Sequence, residues 1–147
     1  MKNSVKLLAF LAICFFAGQV SGQTLFVKEK TANLRSSPSL TGSIVLLQVP
    51  LHYPLKLQEE NGEFLHVKDY RGREGWIARN MVGNEDSVVV NAGTVNVRQG
   101  PGQNYQIVFK AKSGVTFRLL ESKGDWFHVE HESGKKGWIF KNLVWGL

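Results

Sequence analysis

Three kinds of side chain in this sequence stand where they could do chemistry. Arg35 and Arg98 each follow an Asn by two residues and precede a Pro by three, where an alternating segment gives way to a loop. A guanidinium there can hold a carboxylate in a bidentate pair, or it can tie the loop down through backbone carbonyls. Trp76 and Trp138 each follow a Gly. Glycine permits close backbone approach, so the indole either packs over the end of a small β-fold or forms one wall of a groove. Phe64 and Trp126 sit beside Leu65 and Phe127, and side chains alternate along a strand, so one of each pair faces outward. An outward aromatic beside a loop is a stacking platform for a sugar or a peptide. Tyr105, close to Pro101, is a further candidate for the rim, whereas Asn33 and Asn96 satisfy local backbone groups.

The histidines invite a metal or catalytic reading that their spacing does not support. His131 lies three residues after His128, and in a strand such a pair points to opposite faces. No Ser, His and acid set stands out, and neither HExxH nor a phosphate-binding loop is present. The only cysteine is Cys14, so no disulfide framework and no Cys-based zinc site is expected. The expectation is a protein that is not an enzyme, with no metal and no cofactor.

These residues are carried by a duplicated unit. Asn33-Leu34-Arg35-Ser36-Ser37-Pro38 faces Asn96-Val97-Arg98-Gln99-Gly100-Pro101. Ile44-Val45 is aligned with Ile107-Val108, and Leu57 with Leu120. Gly62-Glu63-Phe64-Leu65-His66-Val67 matches Gly124-Asp125-Trp126-Phe127-His128-Val129, and Gly75-Trp76-Ile77 matches Gly137-Trp138-Ile139. The spacing drops by one between Leu57 and Gly62 in this alignment, which predicts a shorter loop there in the second copy. Thr94–Arg98, Val115–Leu119 and Trp126–Glu130 alternate with the period of half-buried strands, separated by Gly-containing turns. Only Arg79–Val82 and Lys141–Val144 suggest a short 3₁₀ turn. The fold class is therefore all-β, built from two small units over 24–83 and 86–147, joined at the polar turn Gly83-Asn84-Glu85-Asp86. Units of this size are marginal alone, so the two are expected to pack on each other.

Ahead of the repeat, Lys2 and Lys6 precede an unbroken apolar run from Leu7 to Ala17, followed by small and polar residues. That order predicts a secretory signal peptide over 1–22, cut between Gly22 and Gln23. Such a cut removes Cys14 and leaves a chain of net charge +4. The run is too short to span a membrane. Residues 24–85 hold 8 basic and 7 acidic residues, and residues 86–147 hold 8 and 5. Lys110, Lys112, Lys135, Lys136 and Lys141 could form a positive face toward anionic polymers or lipid headgroups. No dense basic stripe marks a nucleic-acid binder.

The pattern Asn-x-Arg-x-x-Pro, an Ile-Val strand, Gly-Asp-Trp-Phe-x-Val, Gly-Trp-Ile and a closing Asn-Leu resembles the bacterial SH3-like (SH3b) domain. The second copy carries it closely through Asn96, Arg98, Gly100, Pro101, Gly114, Trp126, Gly137 and Trp138. The first copy departs from it. Ser37 stands for the Gly before Pro38, Phe64 for the Trp, and Pro50-Leu51-His52-Tyr53-Pro54 for the turn at Lys112-Ser113-Gly114. The resemblance implies two tandem β-barrels and a non-catalytic role in the cell envelope. The partners implied are peptidoglycan or short envelope peptides, met by Arg35, Arg98, Pro101, Tyr105, Phe64, Trp126, Trp76 and Trp138. The alternative is a scaffold for an envelope protein, which the divergent surface Pro50–Pro54 would serve.

Overall fold

The computed structural model describes residues 22–147. The expected signal segment lies, apart from Gly22, outside the described residues. The first copy forms β1 (Thr24–Val27), β2 (Thr31–Arg35), β3 (Val45–Pro50), β4 (Pro54–Asn61), β5 (Phe64–Lys68), β6 (Glu74–Ala78), a 3₁₀ turn (Arg79–Met81) and β7 (Val82–Gly83). The second repeats this as β8 (Ser87–Val90), β9 (Thr94–Arg98), β10 (Ile107–Lys112), β11 (Thr116–Lys123), β12 (Trp126–Glu130), β13 (Lys136–Phe140), a 3₁₀ turn (Lys141–Leu143) and β14 (Val144–Trp145). Each copy is one antiparallel sheet of seven strands, ordered β3-β2-β6-β5-β4-β1-β7 and β10-β9-β13-β12-β11-β8-β14.

Alternation decides which residues fill each barrel. Ala32 and Leu34, Leu55 and Leu57, Leu65 and Val67, and Ile77 point into the first core. Val95 and Val97, Phe117, Val129 and Ile139 do the same in the second. Small residues appear where strands approach closely. A Cβ on Gly137 would lie 2.6 Å from Val97 Cγ1 and 2.9 Å from the Arg98 carbonyl oxygen, so only glycine fits.

The strand register corrects the alignment read from sequence. Arg35 pairs with Val45, and Arg98 pairs with Ile107, so Val45 and Ile107 are the equivalent pair. Leu57 pairs with Val67 and Leu119 with Val129, which makes Leu119 the partner of Leu57 in the repeat. The extra residue of the first copy therefore lies in the β2–β3 loop, and the β4–β5 turn has the same length in both. Apolar identity misled the alignment because a bulge follows each of these leucines. Leu120 is the residue that bulges out, 36% exposed, and carries no core role.

The two barrels share an interface. Val89 lies between Val88 and Val90 of the second core, yet it points the other way and is buried in the first barrel's cluster, where Trp145 also packs. Phe26, the equivalent of Val89 on β1, is buried too. Thr116 Oγ1 donates a 2.7 Å hydrogen bond to the Leu51 carbonyl. The Lys56 ammonium lies 5.8 Å from the centre of the Trp145 ring. The segment that diverges in the first copy faces this contact. Tyr53 and Pro54 are buried, and Leu51 and His52 are half-buried. Only Pro50 of this segment is exposed, so most of it is engaged in packing. Burial lowers the His52 pKa, against Glu85, Glu130 and Glu132, which raise it, while Arg118 adds to the lowering. His52 is the one described non-glycine residue with φ in the left-handed region, at 65°, and its equivalent is Gly114.

A polar cluster closes the end of the first barrel. The Asp69 side chain is fully buried in the β5–β6 loop. It accepts from the N–H groups of Arg71 and Arg73 (2.9 Å each), from Arg73 Nε (2.7 Å) and from the Tyr53 hydroxyl (3.0 Å). Burial first, then the Asp69 carboxylate, pushes the Tyr53 phenol well above its ordinary range. The folded protein thus holds this proton more tightly than the unfolded chain does. The stabilisation is complete below about pH 10 and is lost as the pH climbs from there toward the folded value. Tyr53→Phe should flatten the fall in melting temperature between about pH 9.5 and 11. Scans at stepped pH read this directly, and an equally steep fall in the variant would assign the alkaline loss to another group.

Candidate functional site

The outer face of the second barrel collects most of the residues singled out in sequence. Paired residues share a face, and three cross-strand pairs bring Trp126 to Phe140, His128 to Trp138, and Trp138 to Arg98. Phe127, the neighbour of Trp126, turns inward onto the core. The Trp126 and Phe140 rings lie 5.5 Å apart and tilted. The His128 ring stacks on Trp138 at 4.7 Å and 12°. Trp138 is consequently only 9% exposed and acts as packing for this face, with little surface left for a ligand.

Beside that stack runs a groove of about 330 Å³ lined by Thr94, Asn96, Arg98, Gln103, Trp126 and Phe140 among others. It has one aromatic wall and a polar wall from β9 and the following loop. Arg98 Nη1 donates to the carbonyls of Gln103 (3.1 Å) and Tyr105 (3.0 Å), so this arginine ties down the loop while it lines the groove. Its other N–H groups make no hydrogen bond among the described residues. Tyr105 lies against Gly100, where a Cβ would come within 2.3 Å of its ring. Tyr105 is 49% exposed and sits with Pro101 on the loop flanking the groove, outside its lining.

The first barrel has the same frame with weaker furniture. Phe64 pairs with Ala78, so no second ring stands beside it. His66 and Trp76 repeat the ring pair at 4.9 Å and 34°. Arg35 Nη1 reaches Ser43 Oγ at 3.4 Å, and Asn33 accepts from Gln48 Nε2 at 3.3 Å. Ser37 and Ser43 take the places of Gly100 and Tyr105, a paired exchange that follows from the close contact between the latter two.

Sequence reading missed Phe140 and Gln103. Phe140 lies two residues after Trp138 in the same strand, so alternation alone puts both on one face. Gln103 is brought in by the fold of its loop, which no spacing rule specifies. His128 and His131 do point apart: the first stacks on Trp138, and the second sets its ring against Phe117 at 5.8 Å.

The bacterial SH3 domain family model matches residues 28–83 and again 91–146, all of each barrel but its first strand. The chain belongs to the bacterial SH3 domain family. Relatives carry this domain as a small part of longer chains. YrvJ of Bacillus subtilis (strain 168), whose name is that of an N-acetylmuramoyl-L-alanine amidase, is 35% identical over 60 residues, 41% of this chain and 12% of that protein. LytH of Staphylococcus epidermidis, named for a cell wall amidase, is 34% identical over 44 residues, 29% of this chain and 15% of its own length. Among solved structures, an NlpC/P60 family protein from Bacillus cereus aligns at 15% identity with a TM-score of 0.41, over 84% of this chain and 56% of that one.

Proposed function

We propose that this chain is an exported, non-catalytic module that binds the cell wall, and that it recognises peptidoglycan or its stem peptides. Membership of the bacterial SH3 family and similarity to short stretches of two proteins named for wall amidases support the coarse part of this reading. The finer part rests on one observation, the groove of the second barrel. Trp126 and Phe140 offer a stacking surface for a sugar ring or an apolar peptide side chain. Asn96, Gln103 and the free N–H groups of Arg98 offer polar partners along the opposite side, the guanidinium suited to a carboxylate. The first barrel, with Phe64 facing Ala78, is the weaker binder and serves chiefly as the platform that the second packs on.

Retention of the protein on washed peptidoglycan sacculi, at low and high salt, tests the reading. Binding through the groove survives high salt, whereas attraction of the basic surface to an anionic polymer is screened. Trp126→Ala should weaken retention about tenfold, the loss expected when an aromatic anchor is truncated. It should leave the fold intact, because the ring lies on the outer face. Trp126 is a cleaner target than Arg98, whose removal also frees the loop. Undiminished retention by a folded Trp126→Ala protein would remove the groove from the binding surface.

A further inference from the structure

We propose that the second barrel holds a separate pocket for the free carboxylate end of a short peptide whose last residue is apolar. It lies at the place the first barrel fills with its own Tyr53 and Asp69. Strand register makes Val115, His131 and Lys135 the equivalents of Tyr53, Asp69 and Arg73. In the first barrel a phenol ring spans from the start of β4 to the β5–β6 loop, and a buried carboxylate there is met by two backbone N–H groups, a guanidinium and the phenol.

The second barrel keeps the frame and changes the filling: His131 Nδ1 accepts the Ser133 N–H at 3.2 Å, as Asp69 accepts that of Arg71. Val115 ends where the ring of Tyr53 would begin, and His131 brings no carboxylate. What remains is a pocket of about 460 Å³, its apolar surface from Phe109, Ala111 and Val115 and its cation from Lys135, while Lys110 and Lys112 turn to the other face of β10 with their partners Asn96 and Thr94. His131 Nδ1 and Ser133 Oγ are 2.8 Å apart, which fixes the imidazole along one side. Phe117, in place of Leu55, is fully buried in the core and sets its ring 5.8 Å from that imidazole. The Lys135 ammonium lies 5.9 Å from the Phe109 ring.

Among the described residues Lys135 forms no ion pair, whereas neighbouring Lys136 pairs with Glu130 at 3.3 Å. Apolar walls with one unpaired cation at the rim fit a ligand of one negative charge and a small hydrocarbon part. That is the chemistry the first barrel supplies from within: a carboxylate beside a ring. The pocket is lined by β10, the approach to β11 and the β12–β13 loop, away from the Trp126 groove. The proposal therefore stands independently of the cell-wall reading.

The test is a titration of ¹⁵N-labelled protein with N-acetyl-alanyl-alanine and with its C-terminal amide, followed by NMR. The carboxylate should shift the amide signals of Ala111, Val115 and Lys135 saturably, and the amide form should bind about tenfold more weakly. The triple variant Val115→Tyr, His131→Asp, Lys135→Arg grafts the first barrel's filling into the pocket and should abolish the shifts. Lys135→Gln, which leaves the packing alone, should weaken them, and it decides the matter if the graft fails to fold. Competition by inorganic phosphate at equal strength would show a general anion patch and overturn the assignment. So would equal binding of the amide, undiminished binding by Lys135→Gln, or shifts confined to the Trp126 groove.

Discussion

Asp69→Ala should destabilise the protein by about 3–5 kcal/mol, the summed cost of leaving the Tyr53 hydroxyl and two loop N–H donors without their acceptor at about 1–3 kcal/mol each. At this chain length that lowers the melting temperature by roughly 10–20 °C. The guanidinium of Arg73 is half in water and recovers hydration readily. The cost falls on the groups that cannot: the Tyr53 hydroxyl, which is buried, and the Arg71 and Arg73 N–H groups that turn the loop. Asp69→Asn keeps a carbonyl acceptor and should lose about half as much. Thermal unfolding of the two variants checks the ordering. Equal small losses in both would show that the loop is held by its backbone alone.

Val89→Asp should have an effect of similar size and a different form. Val89 belongs to the chain of the second barrel and to the core of the first. A carboxylate there is buried in that apolar cluster, so its charge is unpaired. A cost of about 4–5 kcal/mol follows, at the upper end of what single substitutions do. The unsubstituted protein should melt in one transition, because each barrel supports the other. The variant should melt in two, the first barrel opening earlier. A single transition at the original temperature would mean that the interface contributes nothing to the stability of either unit.

Much of the fold could be read from the residues because duplication doubled every signal. Trp126–Glu130 and Thr94–Arg98 alternate cleanly and form β12 and β9 with those limits. Both 3₁₀ turns lie where Asn80 and Asn142 interrupt the strand pattern. The misalignment of Leu57 with Leu120 has a physical cause. Sequence similarity rewards two leucines, whereas a bulge is decided by how the strand must bend to close the barrel. The candidate site was half legible. Alternation puts Trp126 outward, but it cannot tell that Trp138 is covered, since the covering ring of His128 comes from a neighbouring strand. The second pocket left no pattern in the residues, because its hollow depends on what Val115 lacks relative to Tyr53.

The placement of Val89 and Trp145 also bears on how such a chain can change over generations. Tandem domains are often treated as beads that recombination can exchange one at a time. Here the second bead supplies side chains to the apolar cluster of the first, so a shuffled partner would leave a hole where Val89 had been. The pair is thus expected to change as one unit, and what the first barrel loses at Phe64 and Ala78 leaves its hold on its twin untouched.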